Sequence, residues 1–294
     1  MTSRAPVKRS PCGLASRSLR FRRMARLAAV LVSAVLGLGA CGLTPKPARP
    51  TSLGRANDGR LVGGVPLPVR GPGFRQARPG ERTRYGLPRV VAALTRAAEE
   101  VARRHPGTAP LRVGDLSYRE GGRHPRHGSH RSGRDVDLVF YLTDAAGRSR
   151  RGRGWLGFDV HGVAADDRMG AGALFFFDEA RNWTLVRTLL SDDAGPVQWI
   201  FVANPVKARL LAYGRRHEPD RELLLRAAWV LHQPSSGNPH ADHFHVRWLC
   251  TAEERALGCR DVGPVWPWLR KAHEKPARPP GQADDDQGLL RALR

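Results

Sequence analysis

Two histidine-rich segments constrain this chain more than anything else in it. The first, HGSHRSGRDVD from His127 to Asp137, sets His130 and Asp137 seven residues apart, with His127 three before His130. Ser132 and Gly133 break the segment, and the DVDLVFY that follows alternates polar and apolar residues as a strand does. A tight loop under His130 and a strand beginning near Asp137 are therefore predicted. The second segment, HADHFHVRW, holds His243 and His245 two apart. On a strand such residues point to one face, so both imidazoles reach the same place. Two histidines and one carboxylate around an open fourth position make a catalytic zinc site.

The expected ligands are His130, Asp137 and His245, for one Zn2+ per chain. Zinc lowers the pKa of its water toward about 7, and a general base then carries the second proton to the leaving amine. His243, on the face of His245, is placed to be that base. His127 and His240 lean in from the preceding loops to polarise the scissile carbonyl or hold an oxyanion. Asp135 shares its side of the strand with Asp137 and stays open as a rival ligand or a support. The remaining histidines, His105, His124, His161, His217, His232 and His273, are expected to be ordinary surface or hydrogen-bonded residues.

The rest of the chain frames this site. Residues 1–40 read as a lipoprotein-type signal peptide: basic Arg17 to Arg26, then an apolar run from Leu27 to Ala40 too short to span a membrane. Leu38-Gly-Ala-Cys41 resembles a bacterial lipobox, which makes Cys41 the lipidation site. Met24 offers a tidier start, in which case Cys12 would not be in the protein. Residues 41–80, rich in Pro, Gly and Arg, read as a tether and irregular lead-in. A metallopeptidase domain is expected over 81–270 and a disordered tail over 271–294. Within the domain, apolar spacing predicts helices over 88–104, 180–190, 205–216 and 221–231, and strands over 111–118, 135–142, 197–202 and 243–249. Without a regular βαβ rhythm this gives an α+β fold, a small and mainly antiparallel sheet with flanking helices and the zinc site on the sheet. Net charge is +22, and eight of the basic residues fall in the first forty, which hold no acid. A basic surface suits any polyanion, but no nucleic-acid-binding motif is present and no nucleic-acid partner is expected. Once Cys41 and Cys12 are set aside, Cys250 and Cys259 remain, a pair suited to a disulfide in an oxidising compartment.

The two motifs together, GGRxxxHGSHxxGxDVDL and HxxHFHVRxxC, resemble the penicillin-insensitive murein endopeptidases. These are zinc peptidases akin to lysostaphin, the D-alanyl-D-alanine metallopeptidases and the hedgehog domain. The likeness covers about residues 60–260. It implies a periplasmic enzyme, insensitive to β-lactams, that hydrolyses the D-alanyl–diaminopimelyl amide of cross-linked peptidoglycan stem peptides. It also implies zinc on His130, Asp137 and His245, a base at His243 and auxiliary roles for His127 and His240. With Gly42 after Cys41, the lipid anchor is expected in the outer membrane. Arg131 and Arg134 depart from the family's Gln and Leu and are expected to make the loop more basic. A metallo-D,D-carboxypeptidase is the alternative on this scaffold, although such enzymes usually carry Glu where Asp242 stands. A non-catalytic wall-binding or regulatory domain would be expected to have lost a ligand or the base, and none is missing.

Overall fold

A seven-stranded sheet carries the molecule in the computed structural model, which describes residues 49–274. Its strands are β1 (Arg70–Gly71), β2 (Phe74–Gln76), β3 (Leu111–Val113), β4 (Asp135–Val139), β5 (Val197–Phe201), β6 (Leu231–His232) and β7 (His243–Trp248). They lie in the order β6-β5-β7-β4-β3-β2-β1. The pairs β1/β2, β3/β4, β4/β7 and β5/β7 are antiparallel, whereas β2/β3 and β5/β6 are parallel. The fold is α+β, but the sheet is larger than expected and mixed. The physical reason lies in the connections. Parallel neighbours need a long crossover, and two strand–helix–strand passages supply it: β2 to β3 through α1 (Pro88–Arg104), and β5 to β6 through α3 (Asn204–His217) and α4 (Arg221–Val230).

Helix α1 has the predicted bounds. Pro88 occupies its first turn, where no amide bond is lost. Val90, Ala93, Leu94, Ala97, Ala98 and Val101 form its buried stripe, and Arg103 and Arg104 meet the negative end of the helix dipole. The stripe packs on α2 (Glu179–Leu190), which Asp178 caps by accepting from the Arg181 amide. Strand β7 shows how the sheet divides core from site. Phe244, Val246 and Trp248 point into the core and are fully buried, while His243, His245 and Arg247 alternate to the other face.

Residues 49–80 are not the irregular lead-in expected of them. Thr51–Arg55 and Asp58–Val62 form an antiparallel hairpin, and β1 and β2 close one edge of the sheet. The hairpin braces the loop that carries the first motif: the Leu61 amide donates to Glu120 O, and the Arg131 amide donates to Ala56 O. Gly133 has φ +73°, and a Cβ there would stand 2.7 Å from Leu61 Cδ1, so this crossing of loop and hairpin requires glycine. The Pro/Gly content signals tight turns between short strands here, not a free tether.

Arg134 also departs from expectation. It is almost fully buried rather than lending charge to the loop surface. Its guanidinium donates to Asp261 Oδ1 at 2.8 Å, to Trp248 O and to Arg260 O, and Nε donates to Ser52 Oγ. Cys250 and Cys259 are joined as a disulfide, Cα atoms 6.0 Å apart, closing the segment that Arg134 holds. In the chain-entropy picture such a short loop contributes about 2–3 kcal/mol. The expected signal segment, Cys12, Cys41 and the chain beyond residue 274 lie outside the described residues. Among those described, no helix is long and apolar enough to cross a membrane.

Candidate metal centre

Register assembles the site. In the β4/β7 pair His245 lies opposite Asp137, His243 opposite Val139, and Arg247 opposite Asp135. Paired residues share a face, so Asp135 and Asp137 stand among His243, His245 and Arg247. Two loops then close over that face. His130 arrives from the first, in the left-handed region at φ 61°, and His240 from the second, also at φ 61°. A non-glycine residue there costs on the order of 1 kcal/mol or more. These are the two non-glycine residues with positive φ among those described, and both belong to the site.

All six predicted site residues come together. His130 Nε2 is 3.1 Å from Asp137 Oδ1, His243 Nε2 is 3.5 Å from it and His245 Nδ1 is 3.8 Å from it. His127 Nε2 lies 3.4 Å from Asp137 Oδ2. The His240 ring packs 4.9 Å from that of His243 and 5.4 Å from that of His245. Yet His130 Nε2 and both Asp137 oxygens are buried without a hydrogen-bond partner. Buried polar atoms seldom go unpaired, because each costs about 1–3 kcal/mol. Oxygen and imidazole nitrogen, converging and unsatisfied, are the donor set of a divalent transition metal. His130, Asp137 and His127 lie close enough to share an ion, as do His130, Asp135 and His245.

Neighbouring groups distinguish the two carboxylates. Asp135 accepts two bonds from Arg247, at 2.8 and 2.9 Å, and one from the His130 amide at 3.2 Å. It also sits 3.4 Å from His245 Nε2. A cation there would displace a guanidinium, whereas, among the described residues, only imidazoles face Asp137. His130 donates from Nδ1 to Leu116 O at 3.0 Å, which fixes the tautomer and leaves the Nε2 lone pair facing Asp137. Burial opposes the Asp137 anion, but the imidazoles of His130 and His243 beside it hold its carboxyl well below the ordinary range. Burial brings His245 down to about 4 and His240 to about 3, so both imidazoles are neutral. Burial also opposes the His243 cation, but the carboxylates of Asp137 and Asp242 beside it prevail and raise it to about 9.

Asp242 takes a role not expected of it from the sequence, and Trp155 and Asp115 join the site unforeseen. Asp242 accepts from His243 Nδ1 at 2.6 Å, which turns Nε2 toward Asp137. Trp155 sets its ring edge-on to His243 at 4.9 Å. Its sequence signal was a lone tryptophan in a Gly-Arg-Gly-Trp loop. Asp115 gathers His127 Nε2 at 3.0 Å, Arg126, Arg78 and Thr83 Oγ1, and so positions His127. His124, expected to be ordinary, is buried 4.7 Å from the His127 ring, and the three-residue steps His124, His127, His130 are a pattern that marks it. Asp115, His124 and His127 also fall within metal-sharing distance, but the two guanidiniums on Asp115 already compensate its charge.

Asp115 gives this cluster a pH signature. Burial opposes its charge, but bonds from His127, Arg126 and Thr83 more than offset that, and its pKa is depressed. Its contribution to stability is therefore complete above the unfolded value of about 3.9 and is lost as pH falls through the lower folded value. Asp115→Asn should unfold at lower urea than wild type near neutral pH, with the gap narrowing below about pH 4. Parallel denaturation curves whose separation is the same at both pH values would contradict this.

A mixed sheet with a histidine–carboxylate cluster on one face, its imidazoles met by Asp115, Asp135 and Asp242, defines a candidate metal centre. The family model described as penicillin-insensitive murein endopeptidase matches residues 52–267. Proteins of that name are similar to this chain: one from Pectobacterium atrosepticum is 30% identical, covering 74% of this chain and 70% of its own length. Another, from Haemophilus influenzae, is 28% identical over 72% of this chain and 68% of its own length. A third, from Klebsiella pneumoniae, is 28% identical over 74% and 72%. This chain belongs to the penicillin-insensitive murein endopeptidase family. The match begins at the brace hairpin, so that element belongs to the family domain.

Proposed function

We propose that this chain is a zinc endopeptidase of peptidoglycan that hydrolyses the D-alanyl–diaminopimelyl amide of stem-peptide cross-links. The observation that carries the metal reading is the unsatisfied set His130 Nε2, Asp137 Oδ1 and Asp137 Oδ2 beside His245. The similar proteins named murein endopeptidases support the substrate. His130, Asp137 and His245 would hold the ion, and Asp135, fixed by Arg247, would keep His245 in place. A bound zinc supplies Lewis acidity, polarising a carbonyl and acidifying water.

The protein groups divide the remaining work. A divalent cation held by Asp137 would weaken that carboxylate's hold on the His243 proton. His243, oriented by Asp242, then takes a proton from the attacking water and delivers it to the leaving amine. His127 and His240 face the same space from the two loops and are placed to donate to the carbonyl oxygen as it gains charge. Trp155 excludes water from one side of His243.

The test is digestion of purified cross-linked muropeptides, with products identified by mass. Uncross-linked stems should accumulate, a chelator should stop the reaction and β-lactams should not. Release of terminal D-alanine without loss of cross-links would support the carboxypeptidase instead, and activity surviving exhaustive chelation would remove the metal.

We also propose a periplasmic location with a lipid anchor at Cys41 in the outer membrane, on the evidence of the Leu-Gly-Ala-Cys ending of an apolar run. Two or three acyl chains anchor a protein stably where one does not. Cys41→Ser should shift the protein out of the membrane fraction or block signal processing; wild type found wholly soluble after mild fractionation would argue against the anchor.

A further inference from the structure

One row of paired residues crosses the sheet from its edge to the site: Arg70, Arg75, Arg112, Val139, His243. Residues paired in register share a face, so three arginines line the face on which His243 stands. Arg112 donates from Nη1 to Gly154 O at 2.6 Å and to Gly152 O at 3.1 Å, clamping the loop that carries exposed Arg151 and Trp155. That loop lies on the row. A Cβ on Gly114, two residues beyond Arg112, would stand 2.4 Å from the Trp155 ring, and Arg78 sits 5.0 Å over that ring.

The charge in this row is unbalanced. Neighbouring Arg78, Arg150 and Arg168 each have a carboxylate, Asp115, Asp144 and Asp166 respectively. Among the described residues, no carboxylate pairs with Arg70, Arg75, Arg112 or Arg151. Arg151 instead presses on Arg75 and lowers its pKa, and burial together with Arg151 lowers that of Arg112. A solvated basic face is the plain alternative, but Arg112 is half-buried and its charge meets only backbone carbonyls. Like charges gathered on the sheet face that carries His243 favour an anion arriving with the substrate.

We infer that this arginine row is a subsite for the free carboxylates of the stem peptide, an inference that rests on the peptidoglycan reading above. Strand spacing of about 4.8 Å puts Arg112 roughly 10 Å and Arg75 roughly 14 Å from His243 across the sheet. An extended peptide advances about 3.3–3.6 Å per residue, so the recognised carboxylate lies some three or four residues from the scissile amide. Guanidinium groups suit the task because they pair with carboxylates in a two-pronged geometry.

The experiment uses the full chain, the Arg75→Gln/Arg151→Gln double variant, and two cross-linked muropeptide dimers that differ only in whether their stem carboxylates are free or amidated. Wild type should prefer the free acid through KM, and the variant should raise KM for that dimer by roughly 10–100-fold, the worth of charged hydrogen bonds. Its kcat should change far less, and its preference between dimers should disappear. Equal rates on both dimers by wild type, or equal losses on both by the variant, would overturn the subsite while leaving the endopeptidase intact. Wild type that cleaves neither dimer overturns both. A variant that keeps its dimer preference but no longer sediments with phosphatidylglycerol vesicles would make the row a membrane contact and overturn the inference.

Discussion

His243→Ala should lose at least the roughly 10²–10⁴-fold that general acid–base catalysis supplies, while keeping its metal. The reason is positional. His243 lies opposite Val139 in the register, two residue pairs beyond the His245–Asp137 pair, and its Nδ1 is committed to Asp242. Removing the ring deletes the proton carrier and leaves His130, Asp137 and His245 untouched. Asp242→Asn should also keep the metal and lose a smaller factor, because the ring remains but its orientation is no longer held by a charge. Turnover and metal content measured on both variants separate these roles. A His243→Ala protein without metal would make that residue a ligand; one with full activity would send the search for the base to Asp242 and His240.

Arg134→Leu should be among the most destabilising single changes in the chain, at about 3–5 kcal/mol, because it leaves Asp261 as a buried charge without its counterion. Against a total of about 5–15 kcal/mol that is a large fraction. In a domain of this size each kcal/mol shifts Tm by about 2–4 °C. Adding Asp261→Asn should recover part of the loss: the amide oxygen still accepts from the Cys250 amide, and the stranded charge is gone. A single variant within about 1 kcal/mol of wild type in urea titration would show that the pair is solvated.

The site was legible because its chemistry is contiguous. His130 and Asp137 share one segment, His243 and His245 another, and strand alternation alone puts the latter pair on one face. Helix α1 was legible for the same local reason, since Val90, Leu94, Ala97 and Val101 repeat at its own period. What escaped was set by pairing between distant segments. Asp115 reaches His127 only because β3 and β4 are neighbours, and nothing local marks it. Trp155 meets His243 through a loop clamped by Arg112. The parallel pairs β2/β3 and β5/β6 follow from where α1, α3 and α4 pack, which periodicity does not report. Arg134 looked like loop charge because its counterion sits 127 residues away. The turns of residues 49–80 resembled a tether because strands of two to five residues, unlike α1, are too short to show a period.

In the proposed centre His130, Asp137 and His245 hold one zinc, with Asp135 as support and not as ligand. Elemental analysis of the purified full chain after dialysis tests that assignment most directly. Wild type should carry about one zinc per chain, and Asp137→Ala should carry almost none, with activity following the lost metal. Asp135→Asn should retain most of its zinc, since Arg247 rather than the ion occupies that carboxylate. The reverse outcome, zinc kept by Asp137→Ala and lost by Asp135→Asn, would contradict the assignment.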